Sequence, residues 1–235
     1  MAVTPGQRWL AIRYAVPTGR PDRRDCEECG RPLRFPLPTR PWSPVGRCAA
    51  CGTRTGPPPY VVELLTLGVL LLAGWLAFTG PVLPAAAFAW WALWAVPLVL
   101  IDLAVHRLPD RLTYPAALGA WLLLGGGMLA GDGRPADWLR AGGAGLLVAA
   151  LFAASTLLLG RRGFGLGDAK LALGTGVLLG WVGWPAVLFG LLVAVTVSGL
   201  SALFLLVARR VRWASELAFG PFLVLGTAVA WLLAG

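Results

Sequence analysis

Two groups of residues in this chain have the types and spacing to do chemistry. Cys26, Cys29, Cys48 and Cys51 form two C-x2-C pairs separated by eighteen residues. That spacing suits two knuckles that each give two thiolates to one tetrahedral zinc ion. Two disulfides or four free thiols would use the same residues, and the reducing cytoplasm, where the topology below places them, disfavours the disulfides. Asp102 and Asp168 are the second group. Each sits against an apolar run, in Leu100-Ile101-Asp102-Leu103-Ala104 and Gly165-Leu166-Gly167-Asp168-Ala169. A carboxylate at mid-bilayer costs about 2.5–3.5 kcal/mol on insertion scales, so an acid kept in such a run is a functional candidate. Two carboxylates that meet share a proton, one serving as base and the other as acid, which is the chemistry of an aspartic protease. The plainer readings are a carboxylate snorkelling toward Arg107 for Asp102 and a helix N-cap for Asp168. Gly165 and Gly167 permit a close turn and the approach of another backbone beside Asp168. Asp110, after Pro109, reads as the N-cap of the next helix. Glu63 and Glu216 are secondary polar partners. His106, the only histidine, has no metal-ligand spacing and reads as a loop residue.

The elements that must position these residues are membrane helices. Of 235 residues, 57% are hydrophobic and 13% charged, with a mean hydropathy of +0.73, which excludes a water-soluble globule. Apolar runs long enough for a helix in lipid lie near residues 60–79, 84–104, 112–131, 139–160, 169–183, 184–209 and 217–235. The expected fold is therefore an all-α polytopic membrane protein of about seven transmembrane helices with a small N-terminal zinc-ribbon-like domain. Its parts are an Arg-rich segment 1–25, a four-cysteine domain 26–58 and a membrane domain 59–235. The Gly-rich stretches Gly125–Gly127 and Gly142–Gly145 lie inside spans, where small residues let helices approach closely.

Seven spans with a cytoplasmic N-terminus put eighteen of the twenty cations on the cytoplasmic side, leaving only Arg134 and Arg140 opposite. That bias is the positive-inside pattern and not a nucleic-acid surface, because no basic stripe is interleaved with aromatics. The arrangement places the cysteines, Asp102 and Asp168 on one side, so the two acids can meet. Arg23, Arg24, Arg47 and Arg54 would offset the charge of a four-thiolate zinc site, which has no open ligand position and is structural.

Taken in order, the motifs resemble those of type IV prepilin peptidases, GxGD-type membrane aspartic proteases. After the cysteine pairs come Tyr60-Val61-Val62-Glu63-Leu64-Leu65-Thr66, then Ile101-Asp102 with Leu108-Pro109-Asp110-Arg111-Leu112-Thr113. Gly163-Phe164-Gly165-Leu166-Gly167-Asp168-Ala169-Lys170-Leu171 and Phe219-Gly220-Pro221-Phe222-Leu223 follow. The resemblance implies that Asp102 and Asp168 are the catalytic dyad, with Gly165, Gly167, Lys170 and Asp110 supporting the catalytic loop. It implies hydrolysis of the bond after a glycine in the leader of a prepilin or pseudopilin, at the cytoplasmic face of the bacterial inner membrane. Many members also methylate the new N-terminus with S-adenosylmethionine. Members usually have a further span before the cysteines, and Met1 to Asp25 offers none, so the chain reads as a form lacking it. Glu27 stands where members commonly have Pro. The rival readings are a proton-relaying transporter or assembly scaffold with a zinc-ribbon docking module, a protease of the preflagellin or presenilin-like kind, and an inactive assembly factor.

Overall fold

In lipid a run of Leu, Val, Ala and Trp can satisfy its backbone only as a helix or a closed barrel, and each apolar run of this chain is a helix. The computed structural model describes residues 3–17, 19–33, 46–48, 50–160, 165–209 and 218–234. Gly163, Phe164 and Glu216 lie outside the described residues. A short helix, α1 (Val3–Tyr14), precedes the cysteines. The apolar runs follow as α2 (Val61–Thr79), α3 (Val82–Val105), α4 (Asp110–Ala130), α5 (Pro135–Leu159), α6 (Leu166–Val182), α7 (Trp184–Val207) and α8 (Gly220–Ala234). Five of them, α2, α3, α4, α5 and α7, are long and apolar enough to cross a bilayer. α6 has 17 residues and α8 has 15. No strand occurs among the described residues.

The bundle is apolar outside as well as inside. Phe78, Leu129, Leu188 and Phe204 are among many large apolar side chains on its outer surface, as expected where the solvent is hydrocarbon. The core gathers around α3 and α6, with Phe88, Trp91, Leu98, Ile101, Leu171, Leu178 and Leu179 fully enclosed. α5 and α6 make the most extensive contact, and small residues are the reason. A Cβ on Gly176 would stand 2.7 Å from the Ala144 carbonyl oxygen and 2.7 Å from the Gly145 Cα. Without that side chain the two backbones touch, which is how helices associate where lipid removes the hydrophobic drive. Arg140 on α5 then ties the far end of α6, giving hydrogen bonds of 2.7 Å to the Gly180 and Trp181 carbonyls. Those carbonyls belong to the last turn of a helix and have no partner within it.

Asp110 is the first residue of α4 and not its N-cap, which is Pro109. Its carboxylate turns away to pair with Lys170 on α6. His106 does leave the helix, closing α3 in the left-handed conformation at φ 51°.

α1 is too short to span a membrane, yet it is docked by buried polar groups. The Gln7 amide donates to the Leu93 carbonyl on α3 at 2.9 Å, and the Thr66 hydroxyl on α2 donates to Gln7 Oε1 at 2.5 Å. Arg8 holds both oxygens of Glu63, at 3.0 and 2.7 Å, and also reaches the Pro57 carbonyl. Glu63 thus has its partner in α1. The Arg8 side chain is 4% exposed, and enclosed charge-assisted bonds of this kind are worth more than surface pairs.

If the α5–α6 contact depends on Gly176 as this geometry requires, Gly176→Ala should lower stability by about 1–3 kcal/mol through overpacking. The check is the midpoint of thermal unfolding in detergent, which should fall against the parent chain.

Candidate active site

The site is built at one end of the bundle from four helices. α3 and α6 touch each other only narrowly, while α4 and α8 each touch both. α3 brings Asp102 to its last turn, and this side chain is sealed, with the residue 4% exposed. It does not pair with Arg107, whose guanidinium instead donates to the Val16 carbonyl. Its partner is the backbone N–H of Gly220, the first residue of α8, which donates to Asp102 Oδ2 at 3.0 Å. A Cβ on residue 220 would stand 2.7 Å from that oxygen, so any other residue there would force the carboxylate to shift. The N-terminus of a helix is suited to this role, because its first N–H groups lack internal partners and the helix dipole favours negative charge there.

Asp168 occupies the first turn of α6. Its Oδ2 accepts the Gly165 backbone N–H at 3.1 Å, closing the N-terminus of the helix. The N-cap reading of Asp168 is therefore met in modified form: Gly165 is the cap residue and Asp168 the third residue that reaches back. The residue is half-buried. Gly167 has a separate task. A Cβ there would stand 3.2 Å from Leu108, so its absence lets the α3–α4 loop pack on the start of α6. Lys170, one turn along, pairs with Asp110 across that seam. The structure thus brings Asp102, Asp168, Gly165, Gly167, Lys170 and Asp110 to one end of the bundle. Gly220 joins them. Its motif was visible in the sequence, but its contact with Asp102 spans 118 residues and no spacing rule reports it.

The cysteines form a second centre. Each pair lies in a tight hairpin of the same design. The Cys26 N–H donates to the Arg31 carbonyl and the Gly30 N–H to the Cys26 carbonyl, both at 2.9 Å. The Cys48 N–H and Thr53 carbonyl, with the Gly52 N–H and Cys48 carbonyl, repeat this at 2.8 and 3.0 Å. Gly30 and Gly52 take the positive φ that the turn demands, 66° and 73°. All four sulfurs lie within 4.8 Å of one another. Cys26 to Cys51 is 3.8 Å and Cys29 to Cys48 is 3.6 Å, far too long for a disulfide bond of about 2.05 Å. A tetrahedral ion with Zn–S bonds of about 2.3 Å holds its sulfurs about 3.8 Å apart. The residues fit a metal ion. Backbone N–H groups of Cys51 and Ala50 hold the Cys48 thiol down to about 6, and Thr53 lowers Cys51, first through its side chain and then through its backbone N–H, so this hairpin favours the thiolates a metal needs. Of the nearby arginines, Arg23 pairs with Glu27 and Arg47 donates to the Gly52 carbonyl.

The sequence was compared with known proteins. The model of the type IV leader peptidase family matches residues 86–207. A prepilin leader peptidase/N-methyltransferase of Aeromonas salmonicida strain A449 is 33% identical over 219 residues, covering 89% of this chain and 71% of the relative. The protein of that name from Aeromonas hydrophila is 33% identical over 225 residues with the same coverage. One from Burkholderia pseudomallei strain K96243 is 35% identical over 216 residues, covering 88% of this chain and 65% of its own length. No solved structure matches.

If the four sulfurs hold one ion, the purified chain should carry about one equivalent of zinc by elemental analysis. Cys48→Ser with Cys51→Ser should remove it. The same change should make residues around 46–58 open to protease while leaving the helical content of the bundle unchanged.

Proposed function

The chain belongs to the type IV leader peptidase family, and on that premise we propose that Asp102 and Asp168 are the catalytic dyad of an aspartic endopeptidase acting on type IV prepilins or pseudopilins. The cut follows a glycine at the end of the leader, and the pilin's apolar helix lies against the enzyme in the membrane. The single observation that supports the reading best is the pairing of one sealed and one half-exposed carboxylate at the same end of the bundle, each fixed by a backbone N–H.

The chemistry follows from that arrangement. A water between the two carboxyl groups loses a proton to the ionised one as its oxygen attacks the scissile carbonyl. The other, protonated, donates to the carbonyl oxygen, giving a neutral tetrahedral diol. Collapse of the diol breaks the C–N bond as one diol hydroxyl returns its proton to the second carboxylate, and the proton held by the first passes to the departing amine. No acyl-enzyme forms. Gly220 keeps Asp102 in one rotamer, Gly165 keeps Asp168 in another, and the Lys170–Asp110 pair holds the α6 turn against the α3–α4 loop.

In the full assignment α2 to α8 are seven spans in the bacterial inner membrane, with the cysteines and both aspartates on the cytoplasmic side, as the arginine bias supports. The cysteine centre holds zinc in a structural role. A proton-relaying transporter would need acids along a path through the whole bilayer, whereas Asp102 and Asp168 share one end.

The test is to combine the purified chain with a prepilin from the same genome and follow the pilin by intact mass. Loss of the leader supports the peptidase; an uncut pilin, with the chain folded, contradicts it. The matched relatives are named as N-methyltransferases too, and the same spectrum reads that activity. A mature pilin heavier by one methylene means that S-adenosylmethionine is used. Asp102→Asn and Asp168→Asn should each slow cleavage by about 10²–10⁴-fold, the usual worth of a positioned acid or base, without unfolding the bundle. Removing the four cysteines should have a smaller effect. Gly220→Ala, which crowds Asp102, should lower kcat more than it raises KM.

A further inference from the structure

Beside Asp168 the bundle opens into a cleft of about 1170 Å³. One wall adjoins the proposed dyad without including either aspartate: Gly167, which precedes Asp168, and Lys170 of α6 line it, with Arg107 of the α3–α4 loop. The opposite wall belongs to the cysteine-bearing segment, with Arg20, Arg24 and Asp25 facing in. Three features of this cleft point to its occupant. It is larger than the roughly 300–1,000 Å³ pockets that enclose one small molecule, so it suits a length of polypeptide. It is lined by charged groups, in a protein whose remaining surface is largely apolar, so the polypeptide is polar. Several of its charges are uncommitted. The Arg20, Arg24 and Asp25 side chains have no hydrogen bond or ion pair among the described residues, and Arg107 gives only one bond, to a carbonyl. Most other charged groups nearby are paired, as Arg23 is with Glu27 and Lys170 with Asp110.

Resting on the peptidase reading, we infer that this cleft holds the leader of the substrate, and that the cysteine-bearing segment is the outer wall of the substrate site. The scissile bond must reach the dyad in an extended form. The apolar side of that bond continues into the membrane, so the polar side must leave toward water, and the cleft is the opening next to Asp168. Guanidinium groups of Arg20, Arg24 and Arg107 supply donors for the leader's backbone carbonyls and acidic side chains, and Asp25 accepts from its amides and basic groups. The metal then acts on cleavage at a distance, by keeping this wall in place.

The test uses the full chain in membranes. Arg24 is replaced by a photoreactive p-benzoylphenylalanine in an Asp168→Asn background, so that bound prepilin stays intact, and the cross-linked peptide is mapped by mass spectrometry. Glu28, exposed on the same segment but outside the cleft, carries the probe in the control. The inference expects cross-links from position 24 to the leader and few from position 28. Cross-links confined to the mature part, equal labelling from both positions, or none from position 24 would overturn it. Cleavage of the prepilin by the parent chain is measured alongside. Its absence would mean that the peptidase reading has failed, whereas cleavage without leader cross-links would mean that only the cleft assignment has. Arg24→Ala gives a second readout, expected to raise KM more than it lowers kcat, as loss of a ground-state contact does.

Discussion

A carboxylate sealed at the end of a membrane helix must be given a hydrogen-bond donor by the protein, because lipid supplies none. For Asp102 that donor is the backbone N–H that opens α8, and much of the architecture can be understood as what brings it there. α8 must begin at the depth where α3 ends, and it begins with glycine, where a Cβ would displace the carboxylate. A main-chain donor also cannot rotate away as a side chain can. It leaves the second oxygen of Asp102 free of this bond, on a carboxylate whose orientation is fixed. Asp168 is treated in parallel fashion by the Gly165 N–H, so both acids are held by backbone at the N-terminus of a helix.

The helix packing serves the same end. α3 and α6 carry the acids but meet only narrowly. Their separation is set indirectly, through α4 and α8, and through the close α5–α6 contact that fixes α6 from behind. Deeper in the bundle the Thr227 hydroxyl lies 3.1 Å from that of Thr175, linking α8 to α6. Each of these threonines stands seven residues, about two helical turns, beyond the residue of its helix that enters the site, Gly220 or Asp168. α1 adds a clamp of buried Gln7 and Arg8 that joins α2, the middle of α3 and the linker at Pro57.

The sequence made the chemistry legible where residue type alone carries it. Acids in apolar runs, paired cysteines at knuckle spacing and runs of about twenty apolar residues each have a physical reason to stand out, and the helices lie where those runs were read. What the sequence hid was partnership. Nothing local to Asp102 distinguishes a bond to Gly220 from a bond to Arg107, and the nearer cation was the wrong partner. Asp110 looked like a cap because it follows a proline, yet its carboxylate is drawn to Lys170 sixty residues away. Glu63 gave no hint of Arg8, and a twelve-residue helix with little amphipathic pattern gave no hint that its polar groups would be buried. These are tertiary choices among donors of similar strength, and only the packing of the bundle decides them.

The central claim, that Asp102 and Asp168 together bind the tetrahedral species of peptide hydrolysis, is tested most directly with an unreactive mimic of it. A prepilin peptide carrying a secondary alcohol in place of the scissile carbonyl is compared with the same peptide bearing an ordinary amide, by measuring Kd for the parent chain and for Asp168→Asn. The account predicts that the alcohol binds the parent chain tighter by about 10²-fold or more, as transition-state analogues do, and that the advantage vanishes in Asp168→Asn. Equal affinity for the two peptides, or an advantage untouched by the substitution, would contradict it.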